Sequence, residues 1–127
     1  MRPIEFRAWD KDTETMFIPE YISGDGKVYE DIGVSFQQEL SERKNVILLQ
    51  FTGLKDRSGR EIYEGDVISD HVGVGTVKYS DDNCAYRVSY GDGRAKWFYD
   101  YFLRGEKESI EVIGNIYQNP ELLEEQK

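Results

Sequence analysis

Alternation of apolar and polar positions, not a 3.6-residue stripe, organises this chain. Ile4, Phe6 and Ala8 alternate with Glu5, Arg7 and Trp9, as in a half-buried strand. Asp10-Lys11-Asp12-Thr13 supplies turn chemistry, after which Met16-Phe17-Ile18 returns as a second strand, limited by Pro19. Ser23-Gly24-Asp25-Gly26 predicts another turn and Lys27-Val28-Tyr29 another strand. Over 34–45 the spacing of Val34, Phe36 and Leu40 among Gln37, Gln38, Glu39 and Glu42 predicts a short helix. The apolar run Val46-Ile47-Leu48-Leu49-Gln50-Phe51 then reads as a buried strand, and the charged segment Lys55 to Gly59 closes it.

The second half is more regular. Ile62-Tyr63 leads through Glu64-Gly65-Asp66 into Val67-Ile68. Val74 to Tyr79 is a strand with Val77 and Tyr79 on one face and Thr76 and Lys78 on the other. Tyr86, Val88 and Tyr90 alternate with Arg87 and Ser89, and Gly91-Asp92-Gly93 predicts a hairpin. The return strand is expected to carry Ala95, Trp97, Tyr99 and Tyr101 on one face and Lys96, Phe98, Asp100 and Phe102 on the other. Ile110, Val112, Ile113 and Ile116 form the last strand. Asn119-Pro120-Glu121 opens a short C-terminal helix, with an N-cap residue, a proline at the first helical position and an acid behind it. Five short strands between 62 and 117, cut by turns, predict a small closed antiparallel barrel. The expected division is 1–56 as an N-terminal β-rich lobe and 57–127 as the barrel with its helical turn.

Composition narrows the chemistry. Of 127 residues 39% are hydrophobic, yet 13% are aromatic, so a polar chain still has large side chains with which to build a core. The net charge of −9 is shared evenly: residues 1–56 carry 7 basic and 11 acidic groups, and residues 57–127 carry 9 and 14. A uniformly negative protein is repelled by nucleic acid and by anionic lipid. The single cysteine, Cys84, rules out an internal disulfide and multi-cysteine zinc patterns. The first ten residues lack a signal-like apolar core, and the longest aliphatic run, Val46 to Leu49, is far too short to span a bilayer. The expected setting is therefore the cytoplasm, with no membrane association.

Three segments together carry a resemblance. They are Phe6-Arg7-Ala8-Trp9-Asp10; Gln50-Phe51-Thr52-Gly53-Leu54-Lys55-Asp56 running into Gly59-Arg60-Glu61-Ile62-Tyr63-Glu64-Gly65-Asp66-Val67-Ile68; and Val112-Ile113-Gly114-Asn115-Ile116-Tyr117 with Asn119-Pro120-Glu121-Leu122-Leu123. This combination resembles the YopX family of phage and prophage proteins across nearly the whole chain. The resemblance implies a protein made in a bacterial host, with an SH3-like barrel in its C-terminal part. It implies no reaction and no catalytic residues. The expected fold class is thus mainly β (β-rich α+β): an N-terminal β-rich lobe, a C-terminal SH3-like small antiparallel barrel and a short C-terminal helix.

No pattern of catalytic or cofactor-binding residues stands out, so no cofactor and no metal are expected. Cys84 and His71 offer the only Cys–His pair, and Cys84 lies in a polar turn poor in cations. Asp10, Asp12 and Glu14 imitate the opening of a calcium loop, but Thr15 stands where glycine is required and Tyr21 where glutamate is. Gly73-Val74-Gly75 lacks the third glycine of a dinucleotide fingerprint.

The stretch from Arg87 to Arg104 is the binding candidate. It sets Arg87, Arg94, Lys96 and Arg104 against Asp92 and Asp100, and it carries Trp97, Phe98, Tyr99, Tyr101 and Phe102. Arg87, Arg94, Lys96, Phe98 and Phe102 are the residues expected to meet a partner, with core packing of the aromatics as the competing reading. The functional expectation is a non-catalytic phage accessory protein that binds an unidentified host or phage protein and assembles with copies of itself. Two alternatives are a nucleic-acid-associated barrel, disfavoured by net charge, and a hydrolase relying on carboxylates only.

Overall fold

Twelve strands and two short helices make up the described residues, 4–103 and 109–124, of the computed structural model. The chain divides into two compact units, one formed by residues 5–50 and the other by the chain from Phe51 onward together with Ile4. No helix among the described residues is long and apolar enough to cross a membrane.

In the first unit β1 (Phe6–Asp10) pairs antiparallel with β2 (Thr15–Phe17), Ala8 opposite Phe17. It also pairs with the first half of β6 (Val46–Lys55), from Phe6 opposite Gln50 to Asp10 opposite Val46. Buried Ala8 and Trp9 anchor β1. The calcium-loop imitation is a turn closed by its own first residue. One oxygen of Asp10 accepts from the amides of Asp12 at 2.9 Å and Thr13 at 3.2 Å, and the other pairs with Arg43 at 2.7 Å. A second sheet joins β3 (Tyr21–Ile22), β4 (Val28–Asp31) and β5 (Leu40–Glu42).

The helix expected over 34–45 does not form. Asp31 accepts from the amides of Gly33 at 2.9 Å and Glu39 at 3.0 Å, and the Ile32 amide donates to the Glu39 carbonyl at 2.8 Å. These bonds close a loop between β4 and β5 and consume the groups a helix would need. Val34 and Phe36, which were to form an apolar helix face, are exposed.

The second unit is the barrel. Strands β8 (Asp66–Ser69), β9 (Val74–Ser80), β10 (Ala85–Tyr90) and β11 (Ala95–Trp97) form a meander, and β12 (Glu111–Asn115) returns to pair with β8. The resulting antiparallel order, β11-β10-β9-β8-β12, is that of an SH3-like barrel. β7 (Glu61–Tyr63) pairs with the second half of β6, Phe51 opposite Tyr63. Ile62, Ile68, Val77, Val88, Tyr90, Phe98, Tyr101, Ile110 and Val112 make the core. The expected strand-rich fold with a short helix near the C-terminus, α2 (Glu121–Glu124), is what the chain adopts.

One expectation inside the barrel fails. The strand after the 91–93 hairpin ends at Trp97, and the chain continues as α1 (Phe98–Leu103). Helical spacing puts Phe98 and Tyr101 on one face, and both are buried. Alternation had assigned them to opposite faces of a strand. Phe98 is therefore a core residue and not a contact residue. The side chain of Phe102, and Arg104 altogether, lie outside the described residues.

Candidate functional site

Burial of Val77 and Val88 fixes which way the middle of the barrel sheet faces. Those two are opposite each other in register and fill the core, so their neighbours Lys78 and Arg87 project from the other side. Lys78 is directly opposite Arg87, and Arg87 is directly opposite Trp97. Tyr99 then stacks on Trp97, ring centroids 6.1 Å apart and planes within 6°. The outward face of β9, β10 and β11 thus carries a strip of two cations followed by two aromatics. Lys78 is exposed, Tyr99 is 52% exposed, and Arg87 and Trp97 are half-buried. Among the described residues neither Lys78 nor Arg87 forms an ion pair, and Arg87 Nε is buried without a hydrogen-bond partner.

The other expected contact residues sit elsewhere. Arg94 pairs with Asp92 at 2.6 Å and lies over the Tyr90 ring, while Lys96 Nζ sits 4.4 Å above the Tyr101 ring. With His71, Val72, Ala95 and Asp100 they border a shallow cleft of about 440 Å³. Tyr90, which also lines the cleft, belongs to a hydroxyl–carboxylate cluster. Tyr90 donates to Asp70 at 2.6 Å, Tyr101 donates to the same oxygen, and the two hydroxyls are 3.2 Å apart. The other oxygen of Asp70 accepts from the amides of Val72 and Gly73. Burial pushes Asp70 up, but the hydroxyls of Tyr101 and Tyr90 and the two amides outweigh it and hold the carboxyl below its ordinary range. Both tyrosines are pushed well above theirs, first by burial and then by the adjacent carboxylate. Phenols held protonated against an ionised carboxylate tie the 70–73 turn to β10 and α1; they do not supply a tyrosinate nucleophile.

Cys84 and His71 do not meet. His71 precedes β9 and Cys84 follows it, so the length of a seven-residue strand, about 20 Å, separates them. Cys84 is exposed in the β9–β10 turn with φ at 52°. Among the described residues no three His, Cys, Asp or Glu side chains gather as metal ligands would.

The family assignment rests on the whole chain. A model of the YopX protein family matches residues 5–124. The chain belongs to the YopX family. No curated protein matches it. Among solved structures it is similar to the YopX protein of Bacillus subtilis, with 26% identity, 97% of this chain and 99% of that chain covered, and a TM-score of 0.58. It is also similar to protein EF1440 of Enterococcus faecalis, with 25% identity, the same coverages and a TM-score of 0.51.

The segments that carry the YopX resemblance in the barrel prove to be ties of the fold. Asp56 binds the amides of Ser58, Arg60 and Val112; buried Asp66 accepts from the Tyr63 amide at 2.8 Å. Gly65 has φ at 82° and lies under Tyr117, where a Cβ would come within 2.9 Å of that ring. Asn115 accepts from the amides of Tyr117 and Gln118, turning the chain into α2. The strip on the outward face lies outside these motifs. Of its members, Arg87 is among the expected contact residues, Trp97 and Tyr99 lie in the candidate stretch from Arg87 to Arg104, and Lys78 lies outside it. The missed signal is the turn: closing Ser80 on Ala85 sets Lys78 opposite Arg87.

Proposed function

We propose that this YopX-family chain is a phage or prophage accessory protein that works in the host cytoplasm by binding a protein partner, without a reaction of its own. The observation that carries the reading is the strip Lys78, Arg87, Trp97 and Tyr99 on the outward face of the barrel. Half-exposed stacked aromatics beside arginine are the composition of interface hot spots. Carboxylate-only hydrolysis, in contrast, requires one acid held protonated beside an ionised partner. Asp10, Asp31 and Asp92 are held low by the amides of Thr13, Glu39 and Arg94. Asp56 and Asp70 are also held low.

A photo-crosslinking residue at Ser89, which is opposite Ala95 on the same face, tests this in the producing cell. A discrete cross-linked protein is expected, and it should disappear when Trp97→Ala and Tyr99→Ala are combined in a chain that still unfolds cooperatively. Cross-linking indifferent to those changes would remove the face from the proposal.

Self-association has an observation of its own. Ile32, Val34, Phe36 and Leu40 are exposed within one stretch of nine residues in the N-terminal unit, and apolar side chains clustered in water on a stable protein mark contact surfaces. Sedimentation at micromolar concentration is expected to show an oligomer that Val34→Ser with Phe36→Ser dissociates. A strict monomer defeats this reading.

A further inference from the structure

We infer that the outward face of β9, β10 and β11 receives an acidic segment of the partner protein, with carboxylates over Lys78 and Arg87 and an apolar or aromatic side chain against Trp97 and Tyr99. The inference rests on the binding reading above and specifies its chemistry. Like charges directly opposite each other across antiparallel strands destabilise a sheet, and Lys78 and Arg87 are such a pair. A chain with 25 acidic residues has carboxylates to spare, yet none described pairs with either cation. Arg87 as a whole is only half-buried, so the exposed part of its guanidinium can take a carboxylate brought by a ligand.

Geometry sets the size of the ligand. Three strands at about 4.8 Å spacing put Lys78 and Trp97 roughly 10 Å apart, the span of three to four extended residues. Two carboxylates and one ring, in that order, match the strip. A nucleic-acid strand matches less well. Its charge continues past the two cations into the field of a −9 protein, and two phosphate contacts release too few counterions to offset that repulsion.

The test is fluorescence anisotropy on the full chain with three labelled probes. One is a short peptide of Asp, Glu and Tyr; the second is its Asn, Gln and Tyr counterpart; the third is an oligothymidylate of similar length. The acidic peptide is expected to bind about tenfold tighter than the neutral one and to weaken with salt. Arg87→Glu and Lys78→Glu are each expected to weaken it about tenfold while the melting temperature holds or rises. Equal binding of acidic and neutral peptides, or no binding of either, overturns the inference. Tighter binding of the oligothymidylate overturns it in favour of a nucleic-acid ligand. A Ser89 cross-link lost on Trp97→Ala with Tyr99→Ala but indifferent to both charge reversals also overturns it, while leaving the binding reading above in place.

Discussion

The carboxylate of Asp56 accepts a hydrogen bond from the amide of Val112 at 2.9 Å, 56 positions further along the chain. Its other oxygen accepts from the amides of Ser58 and Arg60, each at 2.9 Å. One buried side chain thus closes the turn that follows β6 and fastens the strand that completes the barrel. Asp56→Ala strands a buried amide and opens the turn, so a loss of about 3 kcal/mol is expected. Asp56→Asn keeps one acceptor and should lose less, about 1–2 kcal/mol. Urea unfolding measures both, as a lower midpoint with an unchanged slope.

Acid should unfold the barrel through the same group and through Asp70. Burial would raise Asp56, but the amides of Val112, Arg60 and Ser58 outweigh it and hold the carboxyl below its ordinary value. Asp70 is held low by the hydroxyls of Tyr101 and Tyr90 and by two amides, again against the effect of burial. A carboxyl depressed in the folded state adds stability above its unfolded pKa of about 3.9, and that stability is lost as pH falls through the folded value. The urea midpoint is therefore expected to drop steeply below about pH 4. Asp56→Asn and Asp70→Asn should each flatten that drop.

Tyr90 and Tyr101 share one oxygen of Asp70. Tyr101→Phe and Tyr90→Phe should each cost about 1–2 kcal/mol. The double variant should depart from the sum, because both hydroxyls also contact each other at 3.2 Å. A double-mutant cycle by chemical unfolding gives the coupling, and strict additivity would show that the cluster is not one unit.

The like-charge pair on the outward face predicts a gain. Lys78→Glu puts an opposite charge across from Arg87 and is expected to stabilise the barrel by about 0.5–1 kcal/mol, a few degrees in melting temperature. Calorimetry at low salt reads this directly. No change would mean that the wild-type pair carries no cost.

Two glycines at similar φ separate backbone strain from contact. Gly59 has φ at 85° with open space where a Cβ would lie, whereas at Gly65, with φ at 82°, the Cβ meets Tyr117 at 2.9 Å. Gly59→Ala should cost about 1 kcal/mol. Gly65→Ala should cost about 2–3 kcal/mol, because the Tyr117 ring must also move. Equal losses in thermal unfolding would mean that the ring yields freely.

The part of the fold legible along the chain is local. Period-two alternation predicts the barrel strands, Gly and Asp predict the turns, and a long specific motif points to the family. Each depends on residues close in the chain, so each is legible without a partner strand. Where alternation stops depends on packing across the core. Trp97, Phe98 and Tyr99 read as a continuing strand, but the core accepts Phe98 and Tyr101 from one helical face, and burying both outweighs a weak local preference. The helix expected over 34–45 fails for a local reason, since Asp31 just upstream claims the amides of Gly33 and Glu39 and closes a loop instead. The juxtaposition of Lys78, Arg87 and Trp97 belongs to register, which one residue of slip would invert. Register is set by the burial of Val77 against Val88, a contact between strands that neither strand's own sequence contains.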